Sequence, residues 1–147
     1  MSAKPTVPYW HLWADGNGIT RQTRCVMTEF ELQSIKQPAD PQWQGDRLSG
    51  QMTTIVTVLP IGWVGTWHQN PKPQWIIPLS GRWFVESMDG AHVEMGPGEL
   101  SFGGDQVCRE TDGKLGHRSG TVGDAPAVLM VIQFDDAPAP SSACAFR

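Results

Sequence analysis

The feature that most constrains this chain is a run of short strand-like segments separated by tight turn signals between residues 75 and 102. The segments are Trp75–Leu79, Arg82–Met88, Ala91–Met95 and Leu100–Phe102, and the separators are Ser80-Gly81, Asp89-Gly90 and Gly96-Pro97-Gly98. Each separator is typical of a hairpin turn, because glycine adopts positive φ without a steric cost. Short strands joined in this way predict a β-sandwich or a β-barrel and not a helical bundle.

Three further segments carry strand patterns. Met52–Leu59 is rich in Thr, Val and Ile, which predicts a strand buried on much of both faces. Ala127–Phe134 is an uninterrupted apolar run whose length and Val and Ile content favour a central strand. Val26–Leu32 largely alternates apolar and polar residues, as a strand with one buried face does. Gly103–Arg118 is polar and contains glycines, so it is predicted as a loop.

Composition limits the chain to one domain and excludes two classes of partner. A length of 147 residues is typical of a single domain. The net charge is −4 and no basic run occurs, so we expect no nucleic-acid partner. No apolar stretch reaches about 18 residues, so we expect no membrane partner. Met1–Pro8 also lacks the apolar segment of a secretory signal.

The three cysteines predict reduced thiols. Cys25, Cys108 and Cys144 are odd in number and far apart, which fits neither a disulfide framework nor a zinc-binding pair. Reduced thiols are typical of the cytoplasm, which is therefore the expected location. Cys144 belongs to the segment 135–147, which is rich in Ala, Pro and Ser and is predicted to be a mobile tail.

The most specific stretch is Gly62–Gly81, with the sequence GWVGTWHQNPKPQWIIPLSG. It resembles the first motif of the cupin superfamily, G-x5-H-x-H-x3,4-E-x6-G. His68 occupies the first histidine position, while Asn70 stands at the second histidine and Gln74 at the glutamate. The spacing between the two glycines and His68 is that of the motif, so the departures concern the ligand types alone.

The second half of the resemblance is looser. Gly96-Pro97-Gly98-Glu99 is similar to the turn that opens the second cupin motif. The histidine position of that motif falls on Arg109, and a histidine follows only eight residues later, at His117 in Gly116-His117. Some cupins carry a longer loop that ends in a glycine–histidine pair, so the resemblance makes His117 the candidate for the last ligand.

The resemblance implies an all-β, single-domain cupin-like β-barrel, also called a double-stranded β-helix or jelly roll, with six to ten strands. The domain would span residues 1–147, with an N-terminal strand or dimer arm at 1–50, a cupin core at 51–134 and the tail at 135–147. Cupin-like domains often pair through their N-terminal strands, and edge strands need covering, so the resemblance also implies a homodimer.

The same motif implies a metal site. Residues i and i+2 of a strand share a face, so His68 and Asn70 would both point into the barrel. The implied metal ligands are His68, Gln74 and His117, around iron, manganese, nickel or zinc, with Asn70 orienting the substrate or a bound water. Neutral amide oxygens are weaker ligands than carboxylates, so the altered set lowers metal affinity. The candidate substrate-binding residues are Asn70, Trp67, Trp83 and Arg109.

Two functions and a purely structural role remain open on the sequence. The first is a metal-dependent cupin enzyme that acts on a small organic molecule as an oxygenase, isomerase, cyclase or lyase. The alternative is a metal-free cupin that binds a small ligand without catalysis, which the loss of one histidine and the glutamate favours. No nucleophile elbow, P-loop or dinucleotide fingerprint occurs, so no catalytic residue is assigned.

Overall fold

The computed structural model describes residues 3–135 and 142–147 as an all-β fold. Its strands are β1 (Val7–Ala14), β2 (Thr20–Met27), β3 (Glu31–Gln33), β4 (Gln42–Gln44), β5 (Met52–Leu59), β6 (Gln74–Ser80), β7 (Arg82–Ser87), β8 (His92–Met95), β9 (Leu100–Gly104), β10 (His117–Val122) and β11 (Ala127–Phe134). Nothing within those two ranges forms a helix of the length and apolarity that crossing a bilayer requires. The all-β prediction is therefore confirmed.

Two sheets make up most of the fold. Six strands form the larger sheet in the order β2-β1-β9-β6-β11-β5, and three form the smaller sheet in the order β10-β7-β8. The pair β3–β4 is a separate hairpin. In the larger sheet β1 and β9 run parallel, whereas the other neighbouring strands are antiparallel. Across the described ranges neither sheet closes on itself, so the arrangement is that of a β-sandwich, and the closed jelly-roll barrel stays a prediction.

The hydrophobic core lies between the two sheets. Side chains alternate between the faces of a strand, so each sheet sends one set of apolar residues inward. The larger sheet contributes Leu12, Leu59, Ile76, Ala127, Leu129 and Val131, and the smaller sheet contributes Trp83, Val85 and Met95. Because both sheets supply this layer, they hold each other at a fixed separation.

The predicted strand at Met52–Leu59 has the correct bounds, but its predicted burial on both faces is wrong. β5 is an edge strand that pairs with β11 alone in the larger sheet. Val56 and Val58 on its outer face are 58% and 55% exposed. β-branched composition indicates a strand but does not say where in a sheet the strand lies. The homodimer stays a prediction.

Two other predicted segments differ from the structure. Val26–Leu32 is not one strand, because β2 ends at Met27 and β3 begins at Glu31. The predicted loop Gly103–Arg118 is bounded by strand residues, since β9 runs to Gly104 and β10 begins at His117. In both cases hydrogen-bond pairing with distant strands decides the boundary, and local residue type does not record that pairing.

The prediction of three reduced thiols is wrong for two of the cysteines. Cys25 and Cys144 form a disulfide across a sequence separation of 119 residues, whereas Cys108 is a free, buried thiol. Disulfides persist mainly in oxidising compartments, so the argument for the cytoplasm no longer holds. Residues 136–141 of the predicted tail lie outside the described residues, and residues 142–147 pack against β1.

Candidate functional site

A cavity of about 210 Å³ opens between the two sheets. Its apolar wall comprises Ile55, Leu59, Trp63, Ile76, Trp83, Leu129 and Val131, and its polar wall comprises Thr57, His68, Asn70, Gln74, His117, Ser119 and Gln133. The structure therefore brings together four residues that the sequence predicts at one site, namely His68, Asn70, Gln74 and His117. No Lys, Arg, Asp or Glu side chain from the described ranges belongs to this lining.

His68 and His117 are held side by side by their backbones. The N–H of each residue donates to the carbonyl oxygen of the other at 2.9 Å, and the two ring centroids are 4.6 Å apart. Gly116 permits this approach, because its φ is 73° and a Cβ at this position would overlap the carbonyl oxygen of His68. The close approach of the two backbones thus explains why a glycine precedes His117.

His117 forms a buried hydrogen bond with Asp105. Nδ1 of His117 lies 2.9 Å from Oδ2 of Asp105, and the two side chains are 5% and 0% exposed. Because the carboxylate accepts, Nδ1 carries the proton and Nε2 is the ring nitrogen left for the cavity. The other oxygen of Asp105 accepts from the backbone and side-chain nitrogens of Asn70 at 3.0 and 2.8 Å. These bonds offset the cost of burying the carboxylate.

An amide relay, formed by Asn70, Gln74 and Gln133, continues from Asp105 along the cavity wall. Nε2 of Gln74 donates to Oδ1 of Asn70 at 2.6 Å, and Nε2 of Gln133 donates to Oε1 of Gln74 at 2.9 Å. Because the carboxylate of Asp105 only accepts, the NH2 group of Asn70 must face it, and the oxygen of Asn70 faces Gln74. The orientation of each amide then determines which end of the next amide is the donor. As a result, the side-chain oxygens of Asn70 and Gln74 already accept hydrogen bonds.

His68 lies at the mouth of the cavity and is exposed. Its Nδ1 lies 2.8 Å from the carbonyl oxygen of Thr66. A carbonyl only accepts, so Nδ1 of His68 carries the proton and Nε2 holds a lone pair. Among residues 3–135 and 142–147, Nε2 of His68 and Nε2 of His117 have no hydrogen-bond partner. Two acceptor nitrogens are therefore available at the same end of the cavity.

The residues at this site do not fit a tightly bound metal. His68 and His117 supply two imidazole nitrogens, but the amide oxygens of Asn70 and Gln74 each already accept a hydrogen bond within the relay and are neutral, weak metal ligands. Both oxygens of Asp105 also accept hydrogen bonds from within the protein. In the described ranges no group of three or more His, Cys, Asp or Glu side chains is arranged to hold a metal ion. Transition-metal sites usually need three or more protein ligands.

The remaining sequence-predicted residues fall on different surfaces. Trp83 belongs to the cavity wall. Trp67 lies outside that lining and packs beneath Lys114 and Arg118, whose charged groups are 5.4 and 5.8 Å from its ring centroid. Arg109 also lies outside the lining, and its guanidinium donates to the carbonyl oxygen of Gly16 at 3.1 Å.

Two residues of the site were missed in the sequence. Asp105 lies within the stretch predicted as a loop, and Gln133 lies within the apolar run of β11. A signal exists for Gln133, because it is the one polar residue of that strand. Burial raises the pKa of the Cys108 thiol and the nearby charge of Asp105 raises it further, which disfavours the thiolate.

Comparisons with known proteins do not assign a family. No family model matches this chain, and no curated protein matches it. The crystal structure of protein NMB1881 from Neisseria meningitidis is similar over 63% of this chain and 84% of that chain, with 16% sequence identity and a TM-score of 0.43. A likeness this distant carries no argument about family or function.

Proposed function

We propose that this chain is a cupin-like enzyme that transfers a proton to and from a small organic molecule, with His117 as the acid–base residue. The observation that best supports this proposal is the buried His117–Asp105 hydrogen bond of 2.9 Å on the wall of a cavity of about 210 Å³. A cavity of roughly 150 Å³ holds one benzene molecule, so this one accommodates a single ring with small substituents.

The arrangement suits general acid–base catalysis. Asp105 positions the imidazole of His117 with its proton on Nδ1, which leaves the lone pair of Nε2 directed to the cavity. When Nε2 takes a proton from the substrate, the carboxylate of Asp105 stabilises the imidazolium that forms. The same nitrogen then returns the proton to another atom of the substrate. Isomerases, cyclases and lyases can proceed by such transfers without a change of oxidation state.

His68 has a different part in this proposal. It lies at the exposed mouth with Nδ1 bound to the carbonyl of Thr66. Its Nε2 therefore holds the polar end of the substrate beside Nε2 of His117. The apolar residues Ile76 and Leu129 of the larger sheet belong to the same cavity wall and reduce its hydration.

A metal-dependent enzyme is the second candidate, and the adjacent imidazoles of His68 and His117 favour it. Iron, manganese, nickel or zinc bound there would act as a Lewis acid or activate oxygen. This candidate needs a further ligand from the substrate or from water, because the amide oxygens of the relay are weak ligands that already accept hydrogen bonds. It also includes the oxygenase chemistry that proton transfer alone does not provide.

Deuterium exchange tests the proposal. Compounds that raise the melting temperature of the protein in a screen of small ring compounds are incubated with it in D2O, and NMR follows the loss of C–H signals. We expect exchange with the wild type and a rate about 10²–10⁴-fold lower in His117→Ala, since a general base contributes about that factor. His92→Ala is the matched control, because His92 is exposed on β8 and stacks on Phe84.

Metal analysis separates the two candidates. The proton-transfer proposal requires that exchange survive treatment with a chelator and that the active protein hold much less than one metal per chain. A stoichiometric metal that disappears in His68→Ala, together with activity lost on chelation, would instead establish the metal-dependent enzyme. Exchange that is undiminished in His117→Ala would refute the role of His117 in either case.

A further inference from the structure

We infer that the molecule bound in the cavity is a neutral hydroxyl compound, such as a ring with two neighbouring hydroxyl groups beside a carbonyl group that acidifies a C–H bond, and not a carboxylate or a phosphate ester. This inference rests on the proposed function and adds the chemical class of its ligand. It follows from the hydrogen-bonding groups that the two histidines and the amide relay leave unused, and from the charge of the lining.

The first observation is a pair of unused acceptors. The protein holds the Nδ1 protons of both histidines, through Thr66 for His68 and through Asp105 for His117. Both Nε2 atoms therefore present lone pairs, and the ring centroids are only 4.6 Å apart. Two acceptors on neighbouring rings are complemented by a ligand with two donors on adjacent atoms. A ketone, an ester or a carboxylate has no such donors.

The second observation is a pair of unused donors on the amide relay. The side-chain nitrogen of Gln74 uses one N–H toward Asn70, and that of Gln133 uses one N–H toward Gln74. Each amide nitrogen carries two N–H groups, so one donor remains on each. A hydroxyl group both donates and accepts, and it can bind an imidazole nitrogen and an amide N–H at once. An ammonium group meets the acceptors but offers nothing to these donors.

The third observation is the charge of the site. No Lys or Arg side chain of the described ranges lines the cavity, and the nearest buried charge is the carboxylate of Asp105, which is 0% exposed. An anion would lose its hydration without meeting a cation and would be repelled by Asp105. Arg118, the basic residue that follows His117, is already paired with Glu86 at 2.7 Å. The site therefore disfavours anionic ligands.

Three probes that share one ring test the inference. They are trans-cyclohexane-1,2-diol, which has two donors, cyclohexanone, which only accepts, and cyclohexanecarboxylate, which is an anion at neutral pH. Titrations followed by ligand-observed NMR give the Kd of each for the wild type, His68→Ala, His117→Ala and the control His92→Ala. We expect the diol to bind the wild type about tenfold more tightly than either other probe, since two buried hydrogen bonds contribute about that factor.

The variants locate the effect. His68→Ala and His117→Ala should each remove most of the preference for the diol, whereas His92→Ala should keep it. Because His68 is exposed, its variant keeps the test valid even if His117→Ala does not fold. Tighter or equal binding of the ketone or the carboxylate overturns the inference and leaves the proposed function standing. Binding of none of the three probes, or a diol preference that survives both variants, overturns the inference together with the proposed ligand site.

Discussion

Two buried histidines, His117 of the smaller sheet and His11 of the larger sheet, differ in the partner of Nδ1 and in what surrounds them. His117 faces the cavity between the sheets, with Nδ1 donating to Asp105 and Nε2 unoccupied. His11 lies on the outer face at 0% exposure, and its Nδ1 accepts from the backbone N–H of Cys144 at 3.0 Å. Burial lowers the pKa of His11 to about 4. Burial without a charged partner therefore favours a neutral structural histidine, whereas His117, with a carboxylate partner and a cavity, is the proposed acid–base residue.

His11 belongs to an aromatic cluster, made by Tyr9, His11, Trp75, Phe102 and Phe146. The hydroxyl of Tyr9 donates to the carbonyl oxygen of Phe146 and accepts from its N–H, both at 3.0 Å. The Cys25–Cys144 disulfide fixes the same C-terminal segment. The contacts around His11 hold the C-terminal segment on the outer face of the larger sheet, and the cavity that contains His117 on the inner face is the candidate site. The predictions below test that division, from the largest expected effect to the smallest.

Asp105→Asn should have the largest effect. Oδ1 of the new side chain would still accept from Asn70, so its NH2 group would face Nδ1 of His117 and donate to it. The imidazole would then carry its proton on Nε2 and could not act as a base. We expect deuterium exchange to fall by about 10²–10⁴-fold. NMR in D2O measures the rate, and urea denaturation identifies the folded fraction. A rate within about threefold of the wild type would remove Asp105 from the mechanism.

The disulfide should matter for stability and not for binding. Cys25→Ser/Cys144→Ser releases a cross-link between residues 119 positions apart, which should lower the free energy of unfolding by about 3 kcal/mol. Urea denaturation checks the stability, and the diol Kd checks the cavity. Cys108→Ser is the matched control, since this thiol is free. A large loss of diol affinity in the double variant, with the fold intact, would show that the two sides of the sheet are coupled.

His11 predicts a pH dependence of stability. The pKa of His11 is about 4 in the folded protein and 6.5 for the free side chain. Above pH 6.5 the side chain is therefore neutral in both the folded and the unfolded protein, and it causes no loss of stability by protonation. Between those values only the unfolded chain takes up the proton, and stability falls as pH decreases. The loss approaches about 1.4 kcal/mol per pH unit, or about 3 kcal/mol in all.

Urea denaturation of wild type and His11→Phe at several pH values tests this dependence. The variant loses the acceptor for the N–H of Cys144 and should be less stable throughout, but its stability should decline less between pH 6.5 and 4. Equal slopes for the two proteins would mean that His11 stays protonated or accessible in the fold.

The sequence predicted one half of the site better than the other, for a physical reason. The spacing that contains His68, Asn70 and Gln74 is local, since all three lie within one turn region and the start of β6. Gln133 joins them only because β11 pairs with β6 in a register that sets it opposite Gln74. Asp105 reaches the site because it directly follows β9, which pairs with β6. Sheet register is a non-local property, which periodicity within a segment does not encode.

The fold shows the same division between local and non-local information. The bounds of β5 and β11 agree with the predicted segments because each is a continuous β-branched or apolar run. The exposure of β5 was not predictable, because it depends on the strand order of the sheet. The Cys25–Cys144 pairing was missed for a similar reason, since an odd cysteine count does not exclude a disulfide and one free thiol.

The smallest predicted effect concerns Gly103, on the cavity side of β9. A Cβ at this position would overlap the side-chain amide of Asn70, so Gly103→Ala should push Asn70 away from Asp105. We expect a loss of about 1–2 kcal/mol of stability, typical of a disturbed buried hydrogen bond, and a deuterium-exchange rate reduced by about tenfold. Gly16→Ala is the matched control, because a methyl group at that position would meet no other atom within 4 Å and its backbone is not left-handed. If Gly103→Ala kept the full exchange rate, the orientation of Asp105 would not depend on Asn70, and the amide relay would be a feature of packing alone.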